Sequence, residues 1–358
     1  MGCHRALYGR VGGVVRGEAF VLEMHRTASS RAGRSKMPAL ASLYEPIAAD
    51  LERVCQIFDD ELFSDLPVVN ELCAHVRQYR GKMLRPALLL VSARACGRLT
   101  AQHLTLAAVV EMVHMATLVH DDVLDEADIR RRVPTVNRME GNEAAVLLGD
   151  YLISHAFHLC SSLDSQEAAR LIGATTNTIC EGELQQVCHR GDDQLSLEQY
   201  LQIVSRKTAA LTAACCRLGA RFAGASTEVI DALQRYGLQV GIAFQITDDV
   251  LDIVGSEDQM GKTLGRDLEK RKLTLPVIHC LTHAAPELRR QVRSLWRVST
   301  DPHELRPCLE ESGSLAYAME QARHYVDSAI RALGALPKDN EARDVLMRMA
   351  QMILEREQ

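Results

Sequence analysis

The chain has 358 residues, of which 47% are apolar and 25% charged, and a formal net charge of −6. Such proportions are ordinary for a folded globular protein and exclude a disordered chain, a collagen-like repeat and a small disulfide-stapled scaffold. A mildly acidic chain lacks the basic face of a general nucleic-acid binder, so no nucleic-acid partner is expected.

Residues 1–36 differ from the rest. They carry Arg5, Arg10, Arg16, Arg26, Arg31, Arg34 and Lys36 against only Glu18 and Glu23. An apolar signal-peptide core is missing, so secretion is not expected. The Arg-rich, acid-poor composition is similar to a mitochondrial transit peptide. The plainer reading is a disordered extension, or a start placed too early with Met37 as the true one. The Gly2 start lacks Ser or Thr at position 6, so the myristoylation motif fails.

From Met37 onward the sequence reads as all-α and as one domain, residues 37–358. No proline occurs between Pro134 and Pro276, which permits long helices. Apolar residues recur at three- and four-residue spacing, as in Leu152, Ala156 and Leu159, and in Val229, Leu233, Tyr236 and Val240. Strand signals are weak, and no Asn-Gly or Asp-Gly hairpin joins two alternating runs. No uninterrupted run of 18 apolar residues exists, so no membrane span is expected. Arg217 and Arg221 cut the alanine-rich run after Thr208. The eleven cysteines are scattered without a C-x-x-C pair, which argues against zinc and redox motifs. They read as small buried apolar residues of a cytoplasmic protein.

One pentapeptide occurs twice. Asp121-Asp122-Val123-Leu124-Asp125 repeats as Asp248-Asp249-Val250-Leu251-Asp252, each time at the end of an apolar helical run. In a helix, residues i and i+4 share a face. Asp121 and Asp125 therefore point together, as do Asp248 and Asp252. Like charges so placed repel, and at the end of an apolar helix they need a cation between them. All-oxygen ligands suit a hard cation, typically Mg²⁺ when substrate phosphate completes the shell. A single D-D-x-x-D could be a solvated helix end; two identical copies in matching contexts favour function. The stripe below the first motif holds His114 and Leu118; the one below the second holds Gly241 and Gln245. A lone His on an apolar face is more often a satisfied core residue, but its place under an acid cluster favours function. Basic turns flank the acids: Gly81-Lys82-x-x-Arg85-Pro86, Arg130-Arg131-Arg132, and Lys262, Arg266, Lys270, Arg271 and Lys272. Carboxylates that hold a cation, with Arg and Lys nearby, describe a diphosphate site.

These motifs in this order resemble the trans-type polyprenyl diphosphate synthases, closest to the long-chain, octaprenyl-type members. Gly182-Glu183-x-x-Gln186, Lys207-Thr208, Phe244-Gln245, Gly261-Lys262 and Gly313-Ser314-Leu315 extend the match to the C-terminus. The resemblance implies a helical bundle of isoprenoid-synthase type around a deep central cavity. It implies that Asp121 and Asp125 hold Mg²⁺ on an allylic diphosphate and that Asp248 and Asp252 complete the metal cluster. Asp122 and Asp249 count with them as catalytic. Arg130 would bind the allylic diphosphate, and Lys82, Arg85, His114 and Arg131 isopentenyl diphosphate. Lys207, Thr208, Gln245 and Lys262 would line the allylic site, with farnesyl or geranyl diphosphate as primer. A homodimer and transient membrane association for product release are further implications, with quinone side chains as the product's destination. Two departures stand out: the family's Gly-Gly-Lys-Arg reads Arg80-Gly81-Lys82-Met83, and the glycine usual after the Arg pair is Arg132.

In this family, bulk four or five residues before the first aspartate limits product length. Those positions are Thr117 and Ala116, about 6–7.5 Å deeper along the helix. Both are small, which predicts a C30 to C50 product, with Phe157 or Cys160 as a lower floor. A C20 synthase is the near alternative, and a non-catalytic partner subunit a remoter one. A terpene cyclase generally needs aromatic walls to guide its cations, and only 4% of this chain is aromatic. A di-iron bundle needs a second Glu-x-x-His beside Glu111 and His114.

Overall fold

The computed structural model describes residues 42–255 and 265–355. The basic N-terminal segment, Gly261 and Lys262 lie outside the described residues. The helices in chain order are α1 (Ala48–Glu61), α2 (Pro67–Arg77), α3 (Leu84–Cys96), α4 (Ala101–Leu124), α5 (Val136–Ser161), α6 (Gln166–Cys188) and α7 (Leu197–Val204). There follow α8 (Ala210–Phe222), α9 (Thr227–Val254), α10 (Arg266–Glu269), α11 (Leu275–His283), α12 (Pro286–Val298), α13 (Pro302–Glu311), α14 (Ser314–Ala332) and α15 (Glu341–Leu354). The all-α expectation is borne out.

Local chemistry starts these helices where the sequence places polar caps. Ser196 and Gln199 form a reciprocal capping box at α7, and Ser226 accepts the Val229 N–H at the start of α9. Each satisfies backbone donors that a helix N-terminus leaves unpaired. The described part of the proline-free span is helical apart from connecting loops, with one π-helical turn, Ser205–Ala209, between α7 and α8. Within α5, Gly141 takes φ 86° and breaks the helix.

Two apolar clusters make the core. The larger joins α1, α3, α4, α5, α8 and α15 around Leu51, Leu89, Leu106, Val110, Leu152 and Met349. The second joins α7, α11, α12 and α13 around Tyr200, Ile278, Trp296 and Leu309. Helix α9 serves both, with Tyr236 and Val240 in the first and Ile246 and Val250 in the second. That dual burial explains why α9 buries apolar residues along its whole length, from Ile230 to Ile253.

Helix α4 is long and apolar enough to cross a membrane by composition alone, yet 72% of its most apolar stretch is buried inside the fold. The central helix of a core meets the same test. Among the described cysteines all are free; Cys73, Cys160, Cys215, Cys216, Cys280 and Cys308 are buried, and Cys180 and Cys188 are exposed. The buried-cysteine expectation therefore holds for most of them and fails for these two.

One small element escapes the sequence reading. Ile129–Arg130 pairs antiparallel with Val133–Pro134. The two loop residues, Arg131 and Arg132, take φ 51° and 69°, the positive values of a type I′ hairpin turn. Asn or Gly usually occupies such positions, so Arg-Arg gives no signal. Arg132 stands in left-handed backbone at the position where the resembling family has glycine.

Close helix packing relies on missing side chains. A Cβ at Gly219 of α8 would collide with the Leu89 carbonyl oxygen of α3 and lie 3.0 Å from the Ala93 nitrogen. Gly219→Val is expected to cost about 3 kcal/mol through overpacking. Urea unfolding checks this; an unchanged midpoint would mean that α3 and α8 separate freely.

Candidate active site

The two acid motifs end α4 and approach the end of α9. On α4 the part-exposed strip is His114, Thr117, Leu118, Asp121 and Asp125, whereas Met115, Ala116, Val119 and Asp122 are buried. On α9, Phe244, Gln245 and Asp248 are part-exposed, whereas Thr247, Asp249 and Asp252 are buried. The i, i+4 reading thus holds for Asp121 and Asp125. In the second motif Asp248 lies open, while Asp252 turns inward and accepts the Asp267 N–H at 3.3 Å.

The middle acid of each motif is a brace. Both oxygens of Asp122 share the Arg130 Nε–H, at 2.8 and 2.9 Å, and Arg130 Nη2 stands 2.7 Å from Oδ1. Asp249 accepts the Tyr200 hydroxyl at 2.6 Å and the Gln245 amide at 2.8 Å. Burial, reinforced by Asp267, pushes the Asp249 carboxyl well above the usual range despite those donors.

Two bridges tie the motifs together. The first is the π turn. Its Lys207 forms an ion pair with Glu183, donates to Gln186 at 2.9 Å and stands 3.8 Å from Asp121. The next residue, Thr208, donates to Gln245 Oε1 at 2.8 Å. Extra residues in a helical turn re-aim side chains, and π turns recur at functional sites for that reason. Here consecutive residues reach the first motif directly and the second through Gln245, which donates to Asp249. Gly182 and Gly241 admit this turn: a Cβ would stand 2.5 Å from the Lys207 nitrogen at the former and 2.5 Å from the Ala209 Cα at the latter.

The second bridge is Lys272. Its Nζ lies 2.8 Å from Asp125 Oδ2 and 3.8 Å from Asp267, whose own N–H reaches Asp252. Arg190 adds a bond to Asp125 Oδ1 at 2.8 Å.

Electrostatics follow this layout. Burial raises the Asp121 carboxyl; Lys207 opposes the rise, and Glu183 and Asp125 add to it. Burial also works against Asp125, but Lys272, with Lys207 and Arg190, outweighs it and holds that carboxyl below its ordinary value. Burial acts against the charge on Lys207, yet Asp121 and Glu183 prevail and raise its ammonium above the ordinary range. Oxygen donors crowded in this way suit a hard divalent cation, whose charge relieves the repulsion.

A second polar group lies below. Burial pushes Glu111 up against the pull of Arg85, Arg80 and Arg131. Burial and the charges of Arg85, Arg131 and Arg130 hold His114 well below its ordinary value, so its ring is neutral. Arg131 donates to the Tyr79 carbonyl, and a Cβ at Gly81 would collide with its guanidinium. The loop bearing Lys82 is thus fitted to the Arg131 hairpin. This cationic setting does not suit the di-iron reading of Glu111 and His114.

Several site residues carried little or no signal. Glu111 is a buried acid in an apolar helix, which is a signal by itself. Glu183 and Gln186 belong to a quoted motif without a role and prove to hold Lys207. Tyr200 and Arg190 have no motif around them. In the basic run Lys272 pairs with the first motif; Lys270 pairs with Glu126 just beyond it at 3.0 Å, and Arg271 ties the Trp296 and Ser299 carbonyls at 2.6 Å each.

Known proteins share this fold and much of this sequence. The polyprenyl synthetase family model matches residues 66–311. The octaprenyl diphosphate synthase of Escherichia coli strain K12 is 36% identical over 321 residues, 89% of this chain and 99% of that one. A polyprenyl synthase from Caulobacter crescentus CB15, solved in complex with calcium and isoprenyl diphosphate, superposes with a TM-score of 0.84. It is 32% identical and covers 90% of this chain and 99% of its own. A geranylgeranyl pyrophosphate synthetase from Pyrococcus horikoshii Ot3 superposes with a TM-score of 0.81 at 32% identity, covering 88% and 98%. Fold and paired acid motifs define a prenyltransferase of isoprenoid-synthase type. The chain belongs to the polyprenyl synthetase family.

The low carboxyl pKa of Asp125 stabilises the fold above the unfolded-state value and is lost as pH falls through the folded one. Lys272→Met removes its main cause. The variant is expected to lose about 2 kcal/mol at pH 7 and to begin acid unfolding at a higher pH than the wild type. Circular dichroism across an acid titration checks this; coincident curves would remove Lys272 from the bridge.

Proposed function

We propose that this chain condenses isopentenyl diphosphate with an allylic diphosphate on Mg²⁺, making a long all-trans polyprenyl diphosphate. The observation that carries the proposal is the linking of both acid motifs by the π turn, Lys207 facing Asp121 and Thr208 holding Gln245, which donates to Asp249. Asp121, Asp125 and Asp248 would hold the ion, with Asp252 completing the set. Bound there, Mg²⁺ supplies charge stabilisation to the departing diphosphate. The calcium in the Caulobacter crescentus complex supports a divalent ion in the family site.

The chain's own residues supply the rest. Lys207, Lys262 and Arg130 would bind the allylic diphosphate as its C–O bond ionises, with Arg130 aimed by Asp122. Thr208 and Gln245 would face the allylic carbocation, the Gln245 amide being fixed by Asp249. Lys82, Arg85, His114 and Arg131 would hold isopentenyl diphosphate, and Glu111 would keep Arg85 in place. The isopentenyl double bond then attacks the cation. The proton lost afterwards would pass to released diphosphate, since no protein nucleophile is needed.

Product length rests on Ala116 and Thr117. Both are small, and Thr117 belongs to the part-exposed strip of α4. Ala116 is fully buried, Phe157 packs near Gly173 of α6, and Cys160 lies in the core. A long product suits these residues and the octaprenyl relative. The likeness to the Pyrococcus horikoshii enzyme favours C20 as the second reading. A two-fold homodimer is part of the proposal, supported by exposed Val146 and Leu147 on α5 and Leu184 on α6.

The test supplies purified protein with Mg²⁺, farnesyl diphosphate and radiolabelled isopentenyl diphosphate, and sizes the dephosphorylated products. A ladder ending between C30 and C50 is expected, lost with EDTA and restored by Mg²⁺. A stop at C20 would keep the chemistry and overturn the length assignment. No product from folded protein would favour a partner-subunit role. Asp121→Asn is expected to lower the rate by about a hundredfold or more. Thr117→Phe is expected to shorten the product while leaving the first condensation intact; an unchanged ladder would remove this face from length control.

A further inference from the structure

A three-residue cluster away from the acid motifs takes no part in this chemistry. Glu61 ends α1, and His155 and His158 lie one turn apart on α5. The Nδ1 atoms of His155 and His158 stand 3.2 and 2.7 Å from the same oxygen, Glu61 Oε1. The three ligand atoms lie within 4.8 Å of one another.

We propose that Glu61, His155 and His158 form a second, separate metal site that takes a borderline divalent cation, Zn²⁺. Two imidazoles and one carboxylate suit Zn²⁺ rather than Mg²⁺, which prefers oxygen ligands and retains its water. Ligand atoms about 2.0–2.1 Å from a tetrahedral ion stand about 3.3 Å apart. The Glu61–His155 separation already meets that spacing. The His158 side chain is 76% exposed and can swing outward, whereas Glu61 and His155 are only 16% and 25% exposed. The Tyr151 ring lies 4.2 Å from the His155 ring and limits its rotation. Two fixed ligands and one mobile ligand leave the fourth position to water.

The surrounding charge favours a cation. The last turn of α1 holds Asp59, Asp60 and Glu61 and no basic residue. Acids there add to the negative end of the helix dipole, where cations are preferred. Asp59 is neutralised by Arg77 and Arg80, and Asp60 accepts the Gln56 amide at 2.6 Å. Glu61 faces the two imidazoles instead. Without an ion, both Nδ1–H groups converge on one oxygen. With an ion, the Nδ1 lone pairs turn to the metal and each ring carries its proton on Nε2. The ion would fasten the end of α1 to α5, across more than 90 residues of sequence.

The test titrates the full-length protein with ZnCl₂ in saturating Mg²⁺, which keeps the acid motifs occupied. One Zn²⁺ per chain and a rise in melting temperature are expected. Co²⁺ in its place should give the visible absorption of a low-coordinate site. His158→Gln should weaken Zn²⁺ binding by about tenfold or more, and His155→Gln/His158→Gln should abolish it and the Co²⁺ bands. Mg²⁺-dependent product formation by His158→Gln should be unchanged, which separates this site from the reaction. No saturable binding by the wild type, or equal affinity in the double variant, would overturn the proposal.

Discussion

Carboxylates crowded at the ends of two apolar helices must be held together by something other than themselves. At effective protein dielectrics, like charges a few ångströms apart repel by several kcal/mol. This chain answers with fixed cations and donors. Lys207 stands by Asp121, Lys272 and Arg190 by Asp125, and Arg130 by Asp122. Asp249 takes its bonds from neutral Tyr200 and Gln245. Asp121 nevertheless keeps a raised carboxyl pKa. The site is therefore neutralised only in part, which leaves the ligand oxygens suited to a divalent ion.

The scaffold exists to place these groups. Helix α9 is buried in both apolar clusters, and the second motif is fixed by Ile246, Val250 and Ile253 in the second of them. Glycines at 182 and 241 let the neighbouring helices close on the π turn, and the turn then addresses both motifs at once. Bulk at Gly182 would push the Lys207 backbone away by steric contact alone, and bulk at Gly241 would push Ala209 of the same turn. Packing and electrostatics meet at that turn.

Much of this was legible in the sequence. The helical periodicity, the missing prolines and the duplicated pentapeptide gave the fold class and both acid motifs, because each is a local pattern. The resemblance supplied Lys82, Arg85, Arg131 and Lys207 as a set. The finer arrangement was not local. That Asp252 turns inward while Asp248 lies open depends on Asp267 arriving from the next helix. That Lys272 rather than Arg271 meets Asp125 depends on a left-handed residue at Arg271, φ 52°, and on carbonyls of α12 that capture its guanidinium. The Arg131-Arg132 hairpin was invisible because its residues contradict turn preference, and tertiary contacts with Gly81 and Tyr79 override that preference.

The central claim is that both acid motifs form one metal-dependent diphosphate site. Calorimetric titration with inorganic diphosphate, with and without Mg²⁺, tests it most directly. The account predicts a metal-dependent binding component that is lost equally in Asp121→Asn and Asp248→Asn, with both variants folded. Retention of that component in Asp248→Asn alone would contradict it, because the second motif would then stand apart from the first.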